Sequence, residues 1–299
     1  MRAVVFAYSN VGDRCLRVLH AGGVEVPLVV THRDHAGETI WFRRVADTAA
    51  ELQVPFVYAD DANDGALAAR VAAARPDLIF SFYFRAMIPL PLLALAKAGA
   101  FNMHGSLLPL YRGRAPVNWA VLHGATQTGA TLHEMVAKPD AGAIVDSSAV
   151  PILPDDTAAQ VFDKVTVAAE QVLWRSLPAI LAGRAPRRAN DLAAGSYFGA
   201  RTPEDGRIDW SQPAQRVYNL IRAVAPPFPG AFTDVGGTRL MVARARLRRG
   251  TVSASTPGLQ IERERVVGVC GDGGVIDVHE LRRGADAIDV ATLHQLLNR

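Results

Sequence analysis

The sequence predicts an α/β chain, with a mainly parallel sheet covered by helices on both faces, followed by a smaller β-rich region. Two observations carry this. Short apolar runs near 3–7, 25–30, 77–82 and 99–103 alternate with Ala- and Leu-rich stretches of helical period near 11–22, 43–52 and 62–74. Strands separated by helices form a parallel sheet, whose ligands gather beyond the carboxyl ends of the strands. From about residue 205 the apolar runs become short and β-like, and Gly and Pro punctuate them. That change of texture marks a second domain, so the expected division is 1–200 and 205–299.

Taken in order, Met1-Arg2-Ala3-Val4-Val5-Phe6-Ala7 reads as a buried strand. Its apolar stretch is too short for a signal peptide and lacks a cleavage pattern, so a cytoplasmic location is expected. No run of about 18 apolar residues occurs, which excludes a helical membrane span. Tyr8-Ser9-Asn10-Val11-Gly12 follows the first strand without the G-x-G-x-x-G spacing, so no NAD site is expected. His32 and His35 flank Asp34, but no third or fourth ligand at suitable spacing accompanies them, and no metal is expected. Asp156-Thr157-Ala158 supplies a helix cap, and the helix should run past Trp174 to about residue 181. After Gly183-Arg184-Ala185-Pro186-Arg187-Arg188 come strand candidates at 242–247, 266–270 and 275–279. Gly236-Gly237 and Gly271-Asp272-Gly273-Gly274 mark turns.

Composition narrows the function classes. A hydrophobic content of 49% over 299 residues supports a sizeable core. The net charge of +3 arises from 32 basic against 29 acidic residues, too small an excess to indicate a nucleic-acid partner. The basic clusters at 184–188 and 244–249 are short and lack interleaved aromatics, and they read as solvated surface. Cys15 and Cys270 lie far apart, implying neither a disulfide framework nor a thiolate metal site. Cys270 reads as a small core residue, His123 and His133 as structural, and Trp119, Trp174 and Trp210 as packing residues.

Chemistry concentrates in Asn102-Met103-His104-Gly105-Ser106, followed by Leu107-Leu108-Pro109 and Arg112-Gly113-Arg114-Ala115-Pro116. A carboxamide and an imidazole two residues apart on an extended segment project from one side. The amide can donate to an oxyanion developing on a carbonyl, and the imidazole can move a proton. That pairing suits acyl transfer. Asp140, in Lys138-Pro139-Asp140-Ala141-Gly142, is the third candidate, although Pro-Asp-Ala-Gly is also an ordinary turn. For Ser106, Tyr111 and Arg112, the pattern leaves a loop-stabilising role and a sugar or pyrophosphate contact equally open.

The run 101–145 resembles the core of the N10-formyltetrahydrofolate-dependent formyltransferases, whose shared elements are Asn-x-His, then Leu-Leu-Pro, then a distant Asp. Val5-Phe6-Ala7-Tyr8, Ile79-Phe80-Ser81-Phe82-Tyr83, Arg201-Thr202-Pro203 and Pro229-Gly230-Ala231-Phe232 extend the resemblance to nearly the whole chain. It implies an enzyme with a Rossmann-like formyltransferase fold and a C-terminal OB-like β-barrel domain. It further implies catalysis by Asn102, His104 and Asp140, with N10-formyltetrahydrofolate as co-substrate. The folate would lie against main chain at Ala86, Met87 and Ile88, against Arg114, and against the loop Val136-Ala137-Lys138-Pro139-Asp140. Relatives often carry an Arg followed by a His where this chain has Arg85-Ala86, which leaves a backbone role intact there and a side-chain role unsupported.

Within the family, His104-Gly105-Ser106, Tyr111 to Pro116, Asn118-Trp119 and Asp140 to Val145 are most similar to the branch that formylates UDP-4-amino-4-deoxy-L-arabinose in lipid A modification, the lipopolysaccharide change behind polymyxin resistance. The partners this implies are a UDP-aminosugar and a folate, without nucleic acid or membrane insertion. A decarboxylase, separate or fused, makes the preceding intermediate in such relatives, and the chain reads as a stand-alone transferase or one domain of a longer enzyme. The rival acceptors are methionyl-tRNA and another nucleotide-linked aminosugar. Methionyl-tRNA enzymes show His-Pro-Ser and Arg-Gly-Ala-Ala-Pro where this chain has His104-Gly105-Ser106 and Arg112-Gly113-Arg114-Ala115-Pro116. They also carry a basic insertion where 33–44 is short and mixed in charge. A binding protein that has lost catalysis is a rival from another class, and the presence of Asn102, His104 and Asp140 counts against it.

Overall fold

A computed structural model describes residues 1–34, 37, 39–251 and 256–298. Contacts divide the chain into two compact units, one of 1–116, 128–150 and 162–199, the other of 117–127, 151–161 and 200–299.

The first unit is built on alternating strands and helices: β1 (Arg2–Ala7), α1 (Ser9–Ala21), β2 (Glu25–Thr31), α2 (Val45–Glu51), β3 (Phe56–Tyr58), α3 (Gly65–Ala73), β4 (Leu78–Phe82), α4 (Leu90–Leu93) and β5 (Gly99–His104). β1 and β4 are buried along nearly their whole length, as strands covered on both faces must be. Strand order is β3-β2-β1-β4-β5, all parallel. Close approach explains Gly12 in α1. A Cβ there would meet Val45 Cγ2 at 2.8 Å and the Ala7 Cβ at 3.1 Å, so any side chain would push α1 off β1 and α2.

The short strand β6 (Arg112–Gly113) and α5 (Pro116–Leu122) follow β5, and then come β7 (Gln127–Glu134), β8 (Ile144–Pro151) and α6 (Ala158–Leu181). β7 pairs antiparallel with β5, and β8 closes the sheet at seven strands. The sequence patterning anticipated β1, β2, β4 and β5 but neither β7 nor β8. α6 starts where the cap was expected: Gln160 N–H donates to Thr157 Oγ1 at 3.4 Å and Thr157 N–H to Gln160 Oε1 at 2.8 Å, a reciprocal capping box. One expectation fails on this helix. The sequence makes Trp174 a packing residue, yet it is 56% exposed, because it lies between the buried positions Leu173 and Leu177, which face inward at helical spacing.

The pair of β6 with β9 (Tyr197–Phe198) is parallel. In the second unit, α7 (Ala214–Val224) is followed by antiparallel strands β10 (Ala231–Val235), β11 (Thr238–Thr251), β12 (Gly258–Glu262), β13 (Arg265–Val269), β14 (Gly274–Arg283) and β15 (Asp286–Ala287), then α8 (Val290–Leu297). The sheet runs β10-β11-β14-β13-β12, with β15 on β14. The predicted runs at 242–247, 266–270 and 275–279 correspond to β11, β13 and β14, and α7 packs on β11 and β14. Together these form the half-barrel of the expected OB-like kind. Trp210 is buried against it and donates its Nε1–H to Thr233 Oγ1 at 3.1 Å.

Candidate active site

β5 carries Asn102 and His104 on one side, as their spacing requires. Across the antiparallel pairing Asn102 faces His133 and His104 faces Thr131. Asn102 Nδ2 lies 3.0 Å from His133 Nε2, and His133 Nδ1 lies 2.8 Å from the Glu134 carbonyl oxygen. A carbonyl only accepts, so His133 Nδ1 carries the hydrogen and Nε2 accepts from the Asn102 amide. One amide hydrogen is thereby committed, which fixes the plane of the carboxamide and leaves its second N–H for a ligand. By its sequence context alone His133 is a structural residue. Its position became informative only with β7 paired antiparallel to β5.

Asp140 arrives from the turn between β7 and β8, with a positive φ of 49°. Asn190 Nδ2 holds that turn through the carbonyls of Asp140 and Gly142, each at 3.1 Å. The Gly113 N–H donates to Asp140 Oδ2 at 2.8 Å. Asp140 Oδ1 lies 3.5 Å from His104 Nδ1 and 3.5 Å from His133 Nε2. These last separations exceed a normal hydrogen bond, so the carboxylate acts on the His104 ring through charge. The structure therefore gathers all three catalytic candidates and adds His133.

Electrostatics assign the resting states. Burial pushes His104 below the ordinary imidazole range and outweighs the opposing pull of Asp140. Burial opposes ionisation of Asp140, yet His104, His133 and the Gly113 N–H hold its carboxyl far below the usual range. The site at rest is a carboxylate beside a neutral imidazole. His104 Nε2 lies 2.8 Å from the Tyr111 carbonyl and must donate to it. Nδ1 is then the nitrogen left to take a proton, and the imidazolium so formed faces Asp140.

The loop after β5 is held by its own bonds. Ser106 Oγ donates to the Leu110 carbonyl at 2.6 Å, Thr131 Oγ1 donates to the Ser106 carbonyl at 2.6 Å, and Tyr111 N–H donates to Ser196 Oγ at 2.8 Å. Ser106 is fully buried in this role. Tyr111 stacks on Phe198 with ring centroids 5.7 Å apart. Gly113 has φ 96°, and a Cβ there would meet the Phe198 carbonyl oxygen at 2.2 Å, so only glycine fits.

The segments expected to hold folate leave the core together. Ile88 is buried in the cluster formed with Val4, Phe6 and Val30, and Met135 packs against the same cluster. Ala86 is half-buried and Met87 is 57% exposed. Val136, Ala137 and Lys138 are exposed, Pro139 is half-buried, and Arg114 is exposed. Among the described residues no group of three or more His, Cys, Asp or Glu is arranged to hold a metal, and no helix is long and apolar enough to cross a membrane. His32 is buried, 3.0 Å from Asp60 through Nδ1 and accepting the Arg85 N–H at Nε2. His35 lies outside the described residues.

The fold has known counterparts. An N-formyltransferase from Helicobacter canadensis, solved with folinic acid and dTDP-3-aminofucose, superposes with a TM-score of 0.72 at 17% identity, covering 92% of this chain and 98% of that one. WlaRD, a sugar 3N-formyl transferase solved in the presence of dTDP and 5-N-formyl-THF, gives 0.72 at 17% identity over 97% and 98%. HypX from Aquifex aeolicus in complex with tetrahydrofolic acid gives 0.65 at 20% identity, covering 99% of this chain and 47% of the longer one. Residues 1–177 match the formyl transferase family model and 201–296 the model of the formyl transferase C-terminal domain, so the chain belongs to the formyl transferase family.

Proposed function

We propose that this formyl transferase moves the formyl group of N10-formyltetrahydrofolate to the 4-amine of UDP-4-amino-4-deoxy-L-arabinose. The observation that carries the chemistry is Asp140 Oδ1 at 3.5 Å from the His104 ring, with Asn102 two residues away on the same strand. Folate and nucleotide-sugar ligands in the solved neighbours support the substrate class. The loop from Tyr111 to Trp119, together with the short, mixed-charge stretch at 33–44, supports the UDP-aminosugar over a tRNA.

The amine nitrogen attacks the formyl carbon, and a C–N bond forms as the carbonyl π pair moves onto oxygen. The uncommitted N–H of Asn102 donates to that oxygen. The attacking nitrogen gives its proton to Nδ1 of His104, and Asp140 stabilises the imidazolium. Collapse breaks the bond from carbon to the folate nitrogen, which leaves with the proton His104 returns. The products are the formamide and tetrahydrofolate. Main chain at Ala86, Met87 and Ile88, the loop Val136-Ala137-Lys138-Pro139-Asp140, and Arg114 hold the pterin end in this reading. The test is a formylation assay with N10-formyltetrahydrofolate and a panel of nucleotide-linked aminosugars beside charged initiator methionyl-tRNA. Turnover is expected with the UDP-aminoarabinose, and efficient use of the tRNA instead would overturn the acceptor assignment.

A further inference from the structure

Arg112 has an unusual standing in this unit. It is 7% exposed, and its Nε and Nη1 are buried without a hydrogen-bond partner among the described residues. Among the described residues no carboxylate is ion-paired with it. The guanidinium lies over the Tyr197 ring, 5.9 Å from the centroid, a weak substitute for five N–H donors. A buried charge with unsatisfied donors is costly, by more than a neutral group in the same place. Such a group calls for an explanation, and a ligand that completes it supplies one.

The backbone aims it at the chemistry. The residue before it, Tyr111, accepts the His104 Nε2–H, and the residue after it, Gly113, donates to Asp140. Arg112 N–H is itself pinned to the Ser196 carbonyl at 3.0 Å, and Arg112 pairs with Tyr197 across β6 and β9. The guanidinium is close enough that its charge acts on the His104 ring. A cation is thus held within electrostatic reach of the His104 ring, on the segment that bonds both His104 and Asp140, with a planar fork that fits oxyanions bidentately.

We infer that Arg112 is the anion hook of the acceptor site, binding a phosphate of the diphosphate that carries the aminosugar, and that this anchors the amine beside His104 and Asn102. The identity of the anion rests on the nucleotide-sugar reading above, and the cationic site does not. In a pyranose linked at C1, the phosphate and the 4-amine sit on opposite sides of one ring. An Arg fixed near the imidazole is suited to span that short distance. The formyl donor carries its carboxylates at the far end of its glutamate tail and is not the ligand expected here.

The test compares wild type, Arg112→Met and Arg112→Lys. KM for the nucleotide sugar should rise about 10- to 100-fold in Arg112→Met, the worth of a hydrogen bond to a charged group. KM for the formyl donor should stay within a few-fold, and kcat should change less than KM. Arg112→Lys, which retains the charge without the fork, should fall between. Inorganic pyrophosphate and UDP should each raise the melting temperature of wild type and leave that of Arg112→Met unmoved. Without ligand, Arg112→Met should melt no lower than wild type, because it leaves no partner stranded. Equal KM values in the three proteins, or equal pyrophosphate stabilisation of wild type and Arg112→Met, would overturn the hook. If pyrophosphate stabilises wild type alone while no nucleotide sugar is formylated, the acceptor assignment falls and the anion site stands.

Discussion

The His104 ring is pulled two ways: burial favours the neutral form and Asp140 favours the cation. This balance keeps a base at rest and an acid after one proton transfer, which a formyl transfer needs in turn. His104→Ala and Asn102→Ala should each lower kcat by at least about 100-fold, from the usual worth of proton transfer and oxyanion donors. Near-normal kcat in a folded variant would remove that residue from the mechanism. Asp140→Asn tests the balance itself. With the carboxylate gone, the strongest pull raising the His104 pKa is lost while burial remains, so the pKa falls further. The acid limb of the kcat profile, where His104 must be neutral, should move to lower pH, and the rate should drop because the imidazolium loses its counter-charge. An unmoved profile at a wild-type rate would reduce Asp140 to a turn residue. His133 holds the Asn102 carboxamide, one step back from the proposed chemistry. His133→Ala should lower kcat more than it raises KM, and His133→Gln should restore part of the loss by again holding the carboxamide.

The pairing of β5 with β7 is what makes these residues a site, and it was the least legible part of the sequence. Asn102 and His104 were legible because a spacing of two on an extended segment has only one geometric outcome. The parallel strands were legible too, since burial on both faces leaves unbroken apolar runs such as Val4-Val5-Phe6 and Leu78-Ile79-Phe80. β7, with Thr128, Thr131 and His133 among its buried residues, shows no such run, and nothing local says that it pairs antiparallel with β5. Hence His133 passed for a structural residue. The exposure of Trp174 was hidden for a related reason, because its place on α6 depends on which helical face meets the sheet. The orphaned donors of Arg112 depend on what surrounds the residue, which no spacing reveals. Gly113 joins these levels: its φ of 96° and the 2.2 Å approach of Phe198 leave no room for a Cβ, and its N–H holds Asp140. Gly113→Ala should displace β6 from β9 and loosen that carboxylate. A fall in kcat larger than the fall in melting temperature would explain is the expected signature, and wild-type kinetics would show that the β6–β9 pair does not position Asp140.

The charge of the molecule bears on which acceptor it takes. With 32 basic and 29 acidic residues, much of the surface charge is internally paired: Arg14 with Glu170, Arg175 with Asp146, Arg207 with Asp234 and Arg248 with Asp277. Cations already bound to carboxylates are poor at replacing the counterions of a polyanion. A protein that neutralises several phosphates of a duplex loses affinity steeply with salt, with a slope near one decade per decade for each contact. A small diphosphate held by one buried Arg responds differently, because a contact shielded from solvent is screened far less than exposed ones. Raising the ionic strength from about 50 mM to about 200 mM should therefore change kcat/KM for UDP-4-amino-4-deoxy-L-arabinose only a few-fold, whereas a tRNA acceptor resting on several phosphates would lose about a thousandfold or more. At fixed salt, kcat/KM for the nucleotide sugar should exceed that for initiator methionyl-tRNA by orders of magnitude. A steep salt slope together with efficient tRNA formylation would show that the acceptor is read through many phosphates, and the assignment to a nucleotide-linked aminosugar would fall while the roles of Asn102, His104 and Asp140 remained.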